Sequence, residues 1–127
     1  MVQLPTMKPA EFIGSALDDI SAMPDDVKQV FGFAIRTAQR GGKHPDAKPL
    51  KGFSGAGVLE VVENFDGDTY RAVYTVKFAD MIYVLHCFMK KSKKGSNTPK
   101  PDIDRIKTRL KTAERLYADQ KPKENTA

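Results

Sequence analysis

The sequence predicts an α+β fold: a small, mostly antiparallel sheet, made of a short N-terminal strand and a three-stranded meander, with helices packed on one face. Three consecutive segments are rich in β-branched and aromatic residues and are separated only by short polar turns; they span residues 58–65, 69–78 and 81–90. Before them, apolar residues recur at helical spacing from Val27 to Ala38. After them, the same spacing runs from Ile103 to Leu116.

The N-terminal third predicts one strand and two helices. The apolar stretch 10–13 favours an edge strand, and a short helix follows over 16–22. A second helix begins at Pro24, whose ring suits a first helical turn, and Gly41 ends it. The stretch 41–57 combines Gly, Pro and Lys without periodicity, which predicts a long loop.

The last helix opens at Pro101, and the tail over about 119–127 is predicted to fray. The chain of 127 residues has the size of one ordinary domain, so residues 1–127 are interpreted as a single unit. Its 40% hydrophobic and 29% charged residues are typical of a globular protein.

The charge pattern favours an acidic partner, although a net charge of +5 is moderate. Basic residues crowd two places, the loop before the meander and the end of the third long strand; they are Lys43, Lys48, Lys51, Lys90, Lys91, Lys93 and Lys94. One cysteine and two histidines are too few for a zinc site, so no metal and no cofactor are expected. The sequence shows no signal peptide and no membrane span, which favours a cytoplasmic protein.

The predicted hairpin turn at Ala79-Asp80 fixes which residues share a face of the sheet. A two-residue turn places His86 opposite Val73 and Phe88 opposite Arg71. One side, the core face, is then almost entirely apolar and is predicted to receive the helices. The other side, the polar face, mixes aliphatic residues with polar and charged ones; the latter are Glu60, Asn64, Arg71, Thr75, His86 and Lys90.

Two interpretations of the polar face remain open from the residues alone. Basic groups on an aliphatic floor act strongly on phosphate, which favours an RNA-binding site. Antiparallel sheets also commonly have one wet face, on which Arg71 would simply pair with Glu60 across the strands. His86 could likewise be a half-buried structural residue, and Phe88 could pack rather than stack on a base.

Several motifs resemble the RelE/ParE toxin superfamily, closest to its HigB-like, phage-associated branch. The resemblance covers about residues 12–114 and rests on five segments; they are KPLKGF (48–53), Leu59-Glu60, YRAVYTVKF (70–78), LHCFMKKSKKG (85–95) and TPKPDIDRIKTRL (98–110). Many relatives carry an arginine shortly after the glutamate, where this chain has Val62. The tyrosine that some relatives use near the chain end has no secure counterpart, since Tyr117 falls within the last helix.

The resemblance implies a RelE-like fold and the toxin of a type II toxin–antitoxin system, a metal-independent and ribosome-dependent endoribonuclease that cuts mRNA. It implies catalytic roles for Arg71, His86 and Lys90, with the general base left open. RNA binding would fall to a further set; it comprises Lys48, Lys51, Phe88, Lys91, Lys93 and Lys94. The implied partners are mRNA, the ribosome and a small antitoxin of helix-turn-helix type.

Two other functions fit the same fold. A ParE-like protein would bind DNA gyrase and cut nothing, and fold alone does not separate it from a nuclease. The basic, histidine-bearing polar face favours cleavage. The third alternative is an inactive relative that retains only RNA or antitoxin binding, which the departure at Val62 keeps open.

Overall fold

The computed structural model describes residues 7–53, 55–90 and 97–120. Eight elements follow one another within these ranges; they are β1 (Ala10–Phe12), α1 (Ala16–Ser21), α2 (Asp25–Gln39), β2 (Lys48–Pro49), β3 (Val58–Phe65), β4 (Asp68–Phe78), β5 (Met81–Lys90) and α3 (Lys100–Gln120). The helices and long strands lie where the sequence predicts them, and α3 continues to Gln120, two residues beyond the predicted point of fraying.

The strands form one mixed sheet in the order β1-β5-β4-β3-β2. β1 pairs parallel with β5 at one edge, and the other neighbours pair antiparallel. A parallel neighbour requires a long connection, which α1, α2 and the meander supply. The predicted α+β class with an N-terminal edge strand is therefore confirmed.

The meander has the predicted order and a tight first turn. β3 and β4 are joined by Asp66 and Gly67, which have positive φ angles of 51° and 85°. Two consecutive residues with positive φ are typical of the hairpin turn whose twist matches that of the strands, and an Asp-Gly pair adopts it readily. This turn places Val62 opposite Arg71 and Glu60 opposite Val73.

A second edge strand, β2, lies inside the segment predicted as a long loop. Lys48 pairs with Glu60 and Pro49 with Leu59. Two residues carry no recognisable alternation, and proline is rare in strands except at edges, so the sequence pattern missed this element. β2 places Lys48, one of the basic residues of this segment, next to Glu60.

A bulge in β5 changes the predicted faces of the sheet. Val73 pairs with His86 as predicted, but Tyr74 pairs with Val84, so Leu85 is an extra residue in β5. A second register shift, between Thr75 and Phe78, restores the pairing of Phe78 with Met81 but not the predicted faces. From Met81 to Leu85 all five residues lie on the face opposite to the predicted one; Ile82 and Val84 lie on the core face, and Met81, Tyr83 and Leu85 on the polar face.

The helices divide between the two faces. α1 and α2 pack on the core face, where Val27, Phe31 and Ala34 are buried against Val61, Ala72 and Tyr74. α3 packs on the polar face instead, and its apolar side meets the residues that the bulge turned there; the buried cluster includes Val73, Tyr83, Leu85, Ile106, Leu110 and Ala113. This corrects the predicted arrangement, in which all helices shared one face. The core face is already covered by α1 and α2, so α3 buries its apolar side on the other one.

The C-terminal half of α3 is fixed to the β4–β5 hairpin by two side-chain contacts. Lys77 Nζ donates to Glu114 Oε2 at 2.5 Å, and Tyr117 Oη donates to Asp80 Oδ1 at 2.6 Å. None of the helices within the described ranges combines the length and the apolar character needed to cross a bilayer.

Candidate active site on the polar face

Arg71 lies on the polar face in the middle of β4, and it is only 2% exposed. Its Nη1 donates to Glu60 Oε2 at 3.1 Å, across the β3–β4 pair. The same carboxylate oxygen accepts a 2.7 Å hydrogen bond from Thr98 Oγ1, which reaches it from the segment before α3. The Arg71–Glu60 pair across the strands, which one interpretation of the sequence expected, is thus present. We call Glu60, Arg71 and Thr98 the arginine cluster.

His86 lies beside this cluster and is also 2% exposed. Its Nε2 is 2.8 Å from Asp102 Oδ1, and its Nδ1 is 3.4 Å from Arg109 Nη1. A guanidinium can only donate, so Nδ1 accepts and the Nε2–H donates to Asp102. We call His86, Asp102 and Arg109 the histidine cluster.

Burial is the main cause that lowers the pKa of His86 from its ordinary value, because a charged imidazolium is poorly solvated inside the protein. Asp102 opposes this shift, and the positive charges of Arg109 and Arg105 add to it. The neutral imidazole is therefore the favoured form near neutral pH. Its ring stacks on Phe88, with centroids 4.5 Å apart.

Arg109 joins α3 to β5 and to the turn between β1 and α1, and the sequence did not single it out. Nη1 donates to the backbone oxygen of Leu85 at 2.9 Å, and Nη2 donates to Ser15 Oγ at 3.0 Å. A Cβ on Gly14, which has a positive φ of 58°, would lie 3.0 Å from the guanidinium, so a glycine there makes room for it. On a helix with many basic residues, nothing in the sequence distinguishes this arginine from its solvated neighbours.

The other residues predicted to act on RNA occupy several positions. Lys90 lies at the end of β5, and its Nζ donates to Asn97 O at 3.0 Å. Lys48 and Lys51 are exposed on β2 and in the turn after it, and Phe88 is half-buried. Three predicted residues lie outside the described ranges; they are Lys91, Lys93 and Lys94.

Two concave surfaces flank the clusters. The larger, which we call the β5 groove, has a volume of about 430 Å³ and reaches His86 and Asp102; it is also lined by Asp19, Ala22, Met23, Pro24, Tyr70, Cys87, Phe88, Met89 and Arg105. The smaller, which we call the β3 hollow, has a volume of about 260 Å³; it is lined by Asp46, Lys48, Glu60 and Val62. The clusters therefore open to solvent on different sides.

Two further groups have limited chemical roles here. Burial raises the pKa of Cys87 to about 12, so its thiol stays protonated at neutral pH. Tyr117 hydrogen-bonds Asp80 at the opposite end of α3 from His86, which separates it from both clusters. Within the described ranges, no group of three His, Cys, Asp or Glu side chains is arranged to hold a metal ion.

Comparisons with known proteins give one family and one solved structure. The model of the family described as "Phage derived protein Gp49-like" matches residues 18–111, which is most of the chain. The solved structure is the toxin–antitoxin complex RelBE2 from Mycobacterium tuberculosis; it is 19% identical, covers 72% of this chain and 100% of that chain, and has a TM-score of 0.45. A search of curated proteins found no match. The matched range contains β3, β4, β5, both clusters and most of α3, so the chain belongs to the phage-derived Gp49-like family.

Proposed function

We propose that this protein is the toxin of a type II toxin–antitoxin pair and a metal-independent endoribonuclease that cuts mRNA on the ribosome. The Gp49-like family is a RelE-like toxin family, which gives this function its prior support. The observation that carries the proposal is the β4–β5 register. It puts Arg71, His86 and Lys90 on one face of neighbouring strands, as a phosphate-cleaving site requires.

The reaction uses the substrate's own ribose. The 2′-oxygen attacks the adjacent phosphorus and loses its proton to a base; the bond from phosphorus to the 5′-oxygen breaks, and that oxygen takes up a proton. The products are a 2′,3′-cyclic phosphate and a 5′-hydroxyl, with no external nucleophile. Enzymes accelerate such a step by proton transfer and by stabilising charge on the phosphoryl oxygens.

We assign charge stabilisation to Arg71, because its planar guanidinium can bind two phosphate oxygens at once. His86 transfers a proton, and Lys90 orients the phosphate from the strand end. Because Arg71 is buried against Glu60, binding requires the guanidinium to exchange this carboxylate for a phosphate oxygen. Glu60, released beside the β3 hollow, is then a carboxylate within reach of the substrate.

The RNA and protein partners follow from the same proposal. Lys48 and Lys51 would bind the RNA backbone next to the β3 hollow, and Lys91, Lys93 and Lys94 would continue this contact beyond β5. Such contacts are independent of base sequence and sensitive to salt. Phe88 would support His86 by stacking and contact the substrate from the groove side. A small helix-turn-helix antitoxin is the proposed protein partner.

Two observations favour a second candidate, an inactive relative that keeps only RNA or antitoxin binding. Arg71 and His86 already have acidic partners, and Val62, which is 37% exposed, stands where many relatives carry an arginine. A gyrase-binding protein of the ParE type remains the third possibility, since the same fold serves both activities.

The test is induced expression in bacteria, with growth measured and mRNA 5′ ends mapped by primer extension, for wild type beside Arg71→Ala and Arg71→Lys. Arg36→Ala, at an exposed position on α2, is the matched control. A nuclease gives growth arrest and new mRNA ends that both Arg71 variants lose and the control keeps. Thermal denaturation of the purified variants shows whether they fold.

Growth arrest without new mRNA ends would contradict cleavage and support gyrase inhibition, which a DNA supercoiling assay then measures directly. Normal growth of the wild type, with no mRNA cleavage on added ribosomes, would support the inactive relative. Arg71→Lys retains the charge but cannot bind two phosphate oxygens in the planar geometry of a guanidinium. Loss of mRNA cleavage in this folded variant therefore specifically supports bidentate phosphate binding.

A further inference from the structure

The β5 groove exists because β1 covers only part of the β5 edge. β1 pairs with Ile82–Val84, and the chain then turns at Gly14 into α1. From His86 to Met89, β5 therefore faces a space between the α1–α2 corner and the first turns of α3. A volume of about 430 Å³ lies in the range of sites that enclose small organic ligands.

The groove lining combines three kinds of group that bind nucleotides. Tyr70, Met89 and Met23 supply aromatic and thioether surface against which a flat base can pack. Arg105 supplies a cation on the exposed side of α3, and it forms no salt bridge within the described part of the chain. Two carboxylates, Asp19 and Asp102, can accept hydrogen bonds from ribose hydroxyls or base amino groups.

The groove also reaches the histidine cluster directly. Asp102, whose side chain is 23% exposed, lies between solvent in the groove and the buried ring of His86. The arginine cluster does not line this groove, and its glutamate faces the β3 hollow instead. A ligand in the groove would thus contact Asp102 and the edge of the stacked His86–Phe88 pair while Arg71 stays covered.

We propose that the β5 groove is a subsite for one nucleotide of single-stranded RNA, with the phosphate bound by Arg105 and the base packed against Tyr70, Met89 and Met23. The proposal rests on the proposed function, because it takes RNA as the substrate. The net charge of +5 and the position of Lys90, directly after Met89 in the groove wall, favour a polyanion over an extended peptide. A peptide on the open strand edge is the competing occupant.

The first test compares two basic residues of α3 by charge-matched substitutions. The probe is a fluorescently labelled single-stranded RNA heptamer, and its dissociation constant is measured by anisotropy at one fixed salt concentration. Arg105→Gln should weaken binding by about tenfold, the effect of losing one charge-assisted phosphate contact. Lys107→Gln removes the same charge two residues along, outside the groove lining, and should weaken binding less than about threefold.

The second test fills the groove without changing charge. Ala22→Tyr adds a ring at an exposed position in the lining, and Ala118→Tyr adds the same ring at an exposed position near the other end of α3. Both variants should fold, because both alanines are at the surface. Ala22→Tyr should weaken RNA binding by roughly tenfold or more, a loss of the size expected for excluding one stacked base, and Ala118→Tyr should leave it unchanged.

Equal losses for Arg105→Gln and Lys107→Gln would overturn the subsite, because they would mean that only general charge attraction is measured. Unchanged RNA binding in Ala22→Tyr would also overturn it and leave the groove to a peptide. If wild type cleaves mRNA while the groove variants behave like their controls, the proposed function stands and the subsite alone fails. If wild type neither binds nor cleaves RNA, both fail together.

Discussion

The arginine and histidine clusters lie side by side on the polar face, but different parts of the fold build them. Arg71 and Glu60 come from neighbouring strands, so the β3–β4 register alone brings them together. His86 and Asp102 come from β5 and α3, so their contact depends on how the helix docks on the sheet. The comparison teaches that the Arg71–Glu60 ion pair follows from local strand pairing and the His86–Asp102 hydrogen bond from tertiary packing.

Thr98 connects the two clusters. Its hydroxyl binds Glu60 in the sheet, and the helix that starts two residues later carries Asp102 and Arg109. When α3 docks on the sheet, Thr98 therefore contacts Glu60 of the arginine cluster, and Asp102 and Arg109 contact His86 to form the histidine cluster. The following predictions separate the two contributions, from the largest expected effect to the smallest.

Removing the carboxylate of the arginine cluster should have the largest effect on stability. Glu60→Ala leaves a guanidinium that is 2% exposed without its strand partner and should lower the free energy of unfolding by about 3 kcal/mol. Urea denaturation measures this. Glu63→Ala, on the same strand but without a salt bridge among the described residues, is the control and should cost less than about 1 kcal/mol. Equal costs would mean that the buried pair adds nothing specific.

Removing Arg109 should have the next largest effect, because it deletes the contacts that join α3 to β5 and to the β1–α1 turn. Arg109→Ala should lower the free energy of unfolding by about 2 kcal/mol, a typical cost for losing hydrogen bonds to a charged group. Arg115→Ala, at an exposed position on the same helix, should change it by less than about 0.5 kcal/mol. A similar result for both would show that Arg109 does not hold the helix.

The histidine cluster should make stability fall as the pH decreases. The folded-state pKa of His86 lies below its ordinary value of 6.5, so the unfolded chain binds the proton more readily. The contribution is complete above the unfolded pKa and is lost as the pH falls from about 6.5 through the lower folded pKa. His86→Gln should flatten this part of the curve, measured by urea denaturation at each pH. An unchanged slope in the variant would assign the effect to other groups.

The smallest effect is expected for Thr98, the member of the arginine cluster that lies just before α3. Thr98→Val keeps the shape of the side chain but removes the hydroxyl that donates to Glu60, and it should cost about 1 kcal/mol. Thr108→Val, on the exposed side of α3, is the matched control, with an expected change below about 0.5 kcal/mol. If Thr98→Val proves neutral, the arginine cluster is closed by the helix and not by this hydrogen bond.

Much of the sheet could be predicted from the sequence, because strand alternation and turn residues are local signals. The two-residue turn at Ala79-Asp80 predicts Arg71 opposite Phe88 and His86 opposite Val73, and these pairs are present because the two register shifts between the turn and the pairs cancel. The bulge at Leu85 carries no such signal. An apolar run from Met81 to Leu85 has no polar residue to reveal which side chains changed faces.

The candidate site was predictable in its strand residues but not in their partners. The motif and the register identify Arg71, His86 and Lys90 as neighbours, whereas the polar residues that contact His86 come from a helix far along the chain. Neither Asp102 nor Arg109 was among the residues predicted to form the site. Sequence spacing gives no distance between groups 16 or 23 residues apart.

The amino-acid sequence by itself determined the order of the helices and long strands, the antiparallel meander, the amphipathic helices and the placement of Arg71, His86 and Lys90 on one face of the sheet. Those features depend on the periodicity of neighbouring residues and on turn conformations. The tertiary structure decided that α3 covers the polar face and that Arg71 and His86 are buried against acidic partners. It also decided that the edge of β5 beyond β1 is left open to the β5 groove. A helix buries its apolar side on whichever surface other elements leave uncovered, and this depends on the whole fold.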